Sequence, residues 1–352
     1  MPVDLLSTSL MMVCATFCVV VGSRKSITFR KELKEQGGGE DDVPAMTARS
    51  ALYIPVVASG SLTLLYFLFN YIQYFLVIYI LVAASGSLCF VCLPTIKLIW
   101  PARANLLNCS LAGIIVLAWL VSGHWLFVDI IGMSLAITMI AVLRIGSLKA
   151  AVFCLVGLFV YDIFWVFFSP FFFGGDNVMV EVATKNADNP AQKIAESLNV
   201  PFLKEAASEL VLPMKLVLPS LRPGRFAMLG LGDIAVPGLF LAFALQFDAH
   251  RRARALRRLA AEDDTVSLIE KGAKNEQFTK RDTDIEIPPE DFYFKKCLAG
   301  YVIGLFLSAL ASALFRAAQP ALLYLVPGVL LPLAAAARRG GHLGELWRGF
   351  EG

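Results

Sequence analysis

Apolar residues fall along this chain in long uncharged blocks separated by short polar stretches, a pattern that predicts helices crossing a bilayer. A hydrocarbon core about 30 Å thick is crossed by roughly 20 apolar residues in helical form. On that measure the blocks convert into nine candidate spans near 5–22, 51–69, 72–97, 104–122, 125–143, 149–172, 226–246, 297–315 and 319–336. The run from Ser50 to Ile96 carries no charge and is too long for one span, so two helices are expected there, with a turn marked by Asn70 and Gln73. The first block carries Asp4 and is followed by Arg24 and Lys25 rather than preceded by a basic segment, so it is expected to remain as an anchor.

Composition supports this reading. Of 352 residues, 57% are hydrophobic and only 17% charged, with a mean hydropathy of +0.68. A net charge of +3 with no basic domain gives nucleic-acid binding no footing. The distribution of the charges says more. Arg24, Lys25, Arg30, Lys31, Lys34 and Arg49, then Lys97 and Arg103, then Arg144 and Lys149 occupy alternate connections, while the turns at 70–73 and 122–125 hold no Lys or Arg. Arg251, Arg252, Arg254, Arg257 and Arg258 follow the seventh span, and Arg338 and Arg339 the ninth. By the positive-inside rule these sides are cytosolic, which puts the N-terminus in the lumen and the C-terminus in the cytosol. Arg222, Arg225 and Arg316 depart from the pattern locally.

The expected organisation has residues 1–147 as spans one to five with a cytosolic loop at 23–50. Residues 148–337 form a second membrane region of spans six to nine, with a non-cytosolic loop 174–225 and a cytosolic loop 247–296, and 338–352 form a cytosolic tail. The seven cysteines lie almost wholly in apolar segments and are read as packing residues; Cys89-Phe90-Val91-Cys92 has no second ligand pair.

Two acids stand out. Asp162 lies in the sixth span, in Tyr161-Asp162-Ile163-Phe164-Trp165, and Asp233 in the seventh, in Gly230-Leu231-Gly232-Asp233. A carboxylate near a span centre costs about 2.5–3.5 kcal/mol, so two without a basic partner at that depth call for a function. If their helices adjoin, the acids can share one proton, and such a pair suits peptide hydrolysis without a metal, a cofactor or a covalent intermediate. Gly230 and Gly232 clear space beside Asp233, and a pure helix-packing role is the alternative for them. Lys215-Leu216-Val217-Leu218-Pro219 is β-prone and could pair with an unwound substrate; a plain connector is the alternative. Asp129, near the outer end of the fifth span, is expected to meet interfacial water or a polar partner and to support packing. Asn108-Cys109-Ser110 matches a glycosylation sequon, but its place at a cytosolic helix edge argues against use.

Tyr161-Asp162, Gly230-Leu231-Gly232-Asp233 and Pro320-Ala321-Leu322, in this order in late spans, resemble the signal peptide peptidase and presenilin family of intramembrane aspartyl proteases. The segments Asn177–Thr184, Ala187-Asp188-Asn189-Pro190 and Leu212–Pro219 look like signal peptide peptidase-like 3 and its plant relatives. The resemblance implies an all-α polytopic membrane protein with a presenilin-like protease fold. It also implies Asp162 and Asp233 as catalytic residues, Tyr161, Gly230 and Gly232 as their setting, and Pro320, Ala321 and Leu322 as a wall of the site. It further implies type II single-pass membrane proteins as substrates, no obligate subunit, and residence in Golgi or related endomembranes; a homo-oligomer is left open. A proton-coupled transporter is the competing class, since buried acids serve it as well. An H-E-x-x-H zinc motif is absent, and a serine mechanism at Ser134 lacks a histidine base in a later span.

Overall fold

The computed structural model describes residues 5–37, 45–173, 178–185, 187, 189, 210–220, 226–272, 288–315 and 319–349. Asn177, Asp188, Pro190, Arg222, Arg225 and Arg316 lie outside them, as do parts of both long loops. Eleven helices and one hairpin follow in order: α1 (Leu5–Glu35), α2 (Ala48–Ile99), α3 (Ala104–Ser122), α4 (Trp125–Val142), α5 (Leu148–Ile163), α6 (Ser169–Phe172) and α7 (Val178–Thr184). Then come β1 (Lys215–Pro219), β2 (Phe226–Gly230), α8 (Leu231–Gly272), α9 (Phe292–Phe315), α10 (Leu322–Arg339) and α11 (Leu343–Arg348). Eight helices among the described residues are long and apolar enough to cross a membrane, and this is a multi-pass membrane protein.

The count of eight meets the expected nine at α2, which carries two of the expected spans. Its 52 residues would measure about 78 Å if straight, far beyond a bilayer core. Met46, just before α2, bonds to the backbone of Arg144 and Gly146, while Phe90 near its far end is reached by Lys25. Both partners belong to the same basic end of the bundle, so α2 runs out and back. The chain departs from helical geometry at Leu68 (φ −110°, ψ 15°), not at the Asn70 and Gln73 marked from polarity. Gln73 instead turns inward and is buried.

A proline explains one of the cross-links between helices. Pro94 has no N–H to offer the Phe90 carbonyl four residues earlier in α2. The Lys25 ammonium fills that vacancy, donating to the Phe90 and Val91 carbonyls at 2.7 and 3.1 Å and standing 4.6 Å over the Phe90 ring. Asn108 donates to the Cys89 carbonyl at 2.9 Å and is buried, which removes the sequon asparagine from solvent. At the same basic end Arg30 bonds to Gln246 at 2.6 Å, and Asp248 accepts the first N–H groups of α9, Tyr293 at 2.8 Å and Phe294 at 3.0 Å.

Two elements have other bounds than the hydropathy predicts. Helix α1 continues through its basic residues to Glu35, so much of the expected loop 23–50 is helical. The seventh span starts at Leu231, not near 226, because Phe226–Gly230 pairs as a strand with Lys215–Pro219. Strand pairing satisfies backbone groups that an isolated connector in this apolar setting would leave bare. Helix α9 packs directly on α10: Gly300 and Gly328 meet backbone to backbone, where a Cβ on Gly300 would collide with the Gly328 carbonyl.

Lys25→Met keeps the stem but removes the donor to Phe90. Loss of this charge-assisted bond is expected to destabilise the protein by about 1.5–3 kcal/mol, read as a lower midpoint for thermal unfolding in detergent. An unchanged midpoint would show that the Phe90 carbonyl finds another donor.

Candidate active site

Asp162 sits one residue from the end of α5, 3% exposed. The next residues, Phe164–Phe168, form a π-helical turn in which the Ser169 N–H reaches back to the Phe164 carbonyl. Pro170 and the bulk of Trp165 favour this widening: Trp165 is buried, donates to Ser59 of α2 at 3.2 Å, and has its carbonyl bonded by the Ser169 hydroxyl at 2.6 Å. Such turns interrupt α-helices most often at functional sites. Tyr161 is half-buried, its ring 6.4 Å from that of Trp165.

Asp233 occupies the first turn of α8. That differs from the mid-helix position read from hydropathy, and it favours a carboxylate, because the first N–H groups of a helix point toward negative charge. Helices α5 and α8, which carry Asp162 and Asp233, are in contact, and α10 packs against both. Gly230, the last residue of β2, stands where a Cβ would come 3.3 Å from the Asp233 Oδ2; a Cβ on Gly232 would meet nothing within 4 Å. The two glycines therefore differ: one gives the carboxylate room, and the other leaves open space beside it.

The Pro320-Ala321-Leu322 segment reaches the same place. Pro320 and Leu322 are buried, Ala321 caps α10, and the Leu322 N–H donates to the Asp162 Oδ2 at 3.1 Å. Asp162 thus meets the Pro320 segment through Leu322, and Gly230 lies beside Asp233; Tyr161 flanks Asp162 along the helix, with its ring near that of Trp165.

Structure adds what sequence reasoning missed. Val217 of β1 faces Met228 of β2, and Leu231 donates to the Met214 carbonyl at 3.1 Å. With Met214 and Leu231 bonded across the hairpin, alternation along the strands turns the Val217 and Met228 backbone groups outward. The Val217 N–H is taken at 2.7 Å by Asp129 of α4, whose side chain is buried. Asp129 therefore has the polar partner expected of it, and that partner is the hairpin. The outer edge of β2 presents Phe226, Met228 and Gly230, with Phe226 and Met228 each 50% exposed. Tyr301 of α9, fully buried, directs its hydroxyl to the Asp233 carbonyl oxygen at 3.4 Å. Only the proline at 237, four residues after Asp233, hinted in the sequence that this carbonyl would need an outside donor.

A family model described as signal peptide peptidase matches residues 38–351. The chain belongs to that family. It is 34% identical to signal peptide peptidase-like 1 of Arabidopsis thaliana over 96% of its own length and 91% of the relative's. To signal peptide peptidase-like 1 of Oryza sativa it is 36% identical, over 85% and 81% of the two chains. The signal peptide peptidase of Homo sapiens is 28% identical over 87% of this chain and 74% of the human one. Membership makes this an intramembrane protease, and it gives the acids, the glycines and the Pro320 segment a functional context.

Gly232→Ala should leave thermal stability unchanged or raise it by up to about 1 kcal/mol, since alanine suits a helix and meets no neighbour. Cleavage of a membrane reporter should nonetheless fall, because the methyl enters the space beside the carboxylate. Full activity together with full stability would remove that space from the site.

Proposed function

We propose that Asp162 and Asp233 form a proton-sharing dyad that hydrolyses peptide bonds in or near the transmembrane segments of type II membrane proteins. The observation that carries this reading is that the two acids come from contacting helices, α5 and α8, and that α10, which packs against both, holds Asp162 through the Leu322 N–H. Two adjoining carboxylates in a poorly solvated site hold one proton between them. The ionised member takes a proton from water as the oxygen attacks the scissile carbonyl carbon, and the protonated member donates to the carbonyl oxygen. Collapse of the resulting gem-diol returns one proton to the leaving nitrogen as the C–N bond breaks. The chemistry calls on no metal or cofactor. Water and substrate converge beside Gly232, where the first turn of α8 is open.

A helical substrate hides its peptide bonds, so cleavage requires local unwinding, and the freed backbone needs partners within the membrane. The hairpin supplies an edge for that purpose. With the Val217 N–H occupied by Asp129, the edge available to an added strand is that of β2, which leads through Gly230 to Asp233 three residues later. The basic end, with Arg144, Lys149 and Arg251, faces the cytosol on this reading. The N-terminus then lies in the lumen of Golgi or related endomembranes, and the enzyme works without an obligate subunit. The names of its relatives as peptidases favour proteolysis over proton-coupled transport.

The test is release of a tagged type II reporter's ectodomain by the purified protein in liposomes. Asp162→Ala and Asp233→Ala, at equal folded amounts, should each abolish release, and the wild-type rate should trace a bell against pH. Release persisting in either variant would overturn the dyad. For the strand, Met228→Pro removes an outward N–H while leaving the bonds between β1 and β2 in place, so cleavage should drop at least tenfold with the fold retained. Undiminished cleavage would exclude pairing along this edge.

A further inference from the structure

The hydroxyl of Tyr301 makes its bond at a backbone carbonyl that its own helix cannot satisfy in the usual way. In α8 the carbonyl of Asp233 would ordinarily accept from the N–H four residues on, but that residue is Pro237. An orphaned carbonyl in an apolar interior is costly and free to tilt. Tyr301 is 0% exposed, and its hydroxyl lies 3.4 Å from the Asp233 oxygen.

The helix bearing Tyr301 also reaches the other acid. Gly300, adjacent to Tyr301, meets Gly328 of α10 backbone to backbone, and Gly304 one turn on packs against the Tyr324 carbonyl. This close approach leaves no slack between α9 and α10, and α10 begins at Leu322, whose N–H holds Asp162. One tightly packed helix pair therefore touches both acids: α10 through a carboxylate oxygen, and α9 through the backbone of the residue bearing the second carboxylate.

We propose that Tyr301 is a positioning residue: its hydroxyl takes over the intrahelical bond removed by Pro237 and so fixes the first turn of α8, and with it the Asp233 carboxylate, relative to Asp162. The proposal rests on the dyad reading above. Proline at 237 then has a purpose, since it transfers control of the Asp233 backbone from its own helix to α9.

The experiment is a double-mutant cycle on the full chain in liposomes. Tyr301→Phe keeps the ring and removes the hydroxyl; Pro237→Ala, or Pro237→Ser, restores an N–H within α8. With Pro237 present, Tyr301→Phe should lower kcat for reporter cleavage about tenfold, leave KM within twofold and displace the pH profile. With Ala or Ser at 237 the same change should cost less than twofold. Equal losses in both backgrounds would mean that Tyr301 acts by packing alone, and no loss with Pro237 present would also overturn the proposal. If neither Pro237 variant folds, Tyr301→Phe alone decides: an unchanged kcat and pH profile refute the role, and a lowered kcat with a displaced profile sustains it. Thermal midpoints measured across the same cycle separate this proposal from the dyad reading. A midpoint drop confined to the Pro237 background, with cleavage that survives Asp162→Ala, would keep the hydrogen bond and refute the dyad reading. Cleavage lost in Asp162→Ala alongside an unaffected Tyr301→Phe would do the reverse.

Discussion

A backbone carbonyl or amide that loses its partner inside hydrocarbon has no water to replace it, and this constraint organises the protein. Prolines in α2 and α8 each remove a donor. Lys25 answers at Phe90 and Tyr301 at Asp233. Asp129 takes an outward amide of β1, and Leu322 offers an unpaired helix-start amide to Asp162. Each repair comes from a different helix. The requirement that would be a local cost in water thus becomes a set of bonds between elements, and these bonds fix α1 against α2, α4 against the hairpin, and α9 and α10 against the two acids.

The same constraint shapes the site. Asp162 lies where α5 widens into a π turn, and Asp233 where a strand becomes a helix, so each acid stands at an irregularity where backbone groups are available. A carboxylate in the middle of an unbroken helix would face only side chains. At a helix start it meets N–H groups, and beside Gly230 it has room to approach its partner. At the hairpin, Asp129 takes the outward amide of Val217 in β1, while the outer edge of β2 stays exposed at Phe226 and Met228.

Legible in the sequence were the membrane-spanning architecture, the out-and-back path of residues 48–99, and Asp162 and the Pro320-Ala321-Leu322 segment, which meet through the Leu322 N–H. The spans and the acid follow from hydropathy and from chemically expensive residues, both of which are local properties, whereas the Pro320 segment stood out only through the family resemblance. Helix α2 bends at Leu68 rather than at the polar pair beyond it, because Gln73 is drawn into the core and polarity marks a turn only when it faces out. The start of α8 at 231, the pairing of Phe226–Gly230 with β1, the anchoring of β1 by Asp129 and the reach of Tyr301 to Asp233 were decided by tertiary structure alone. Each depends on which distant chain segment supplies a hydrogen-bond partner, and a residue's hydropathy carries no record of the partner it will find.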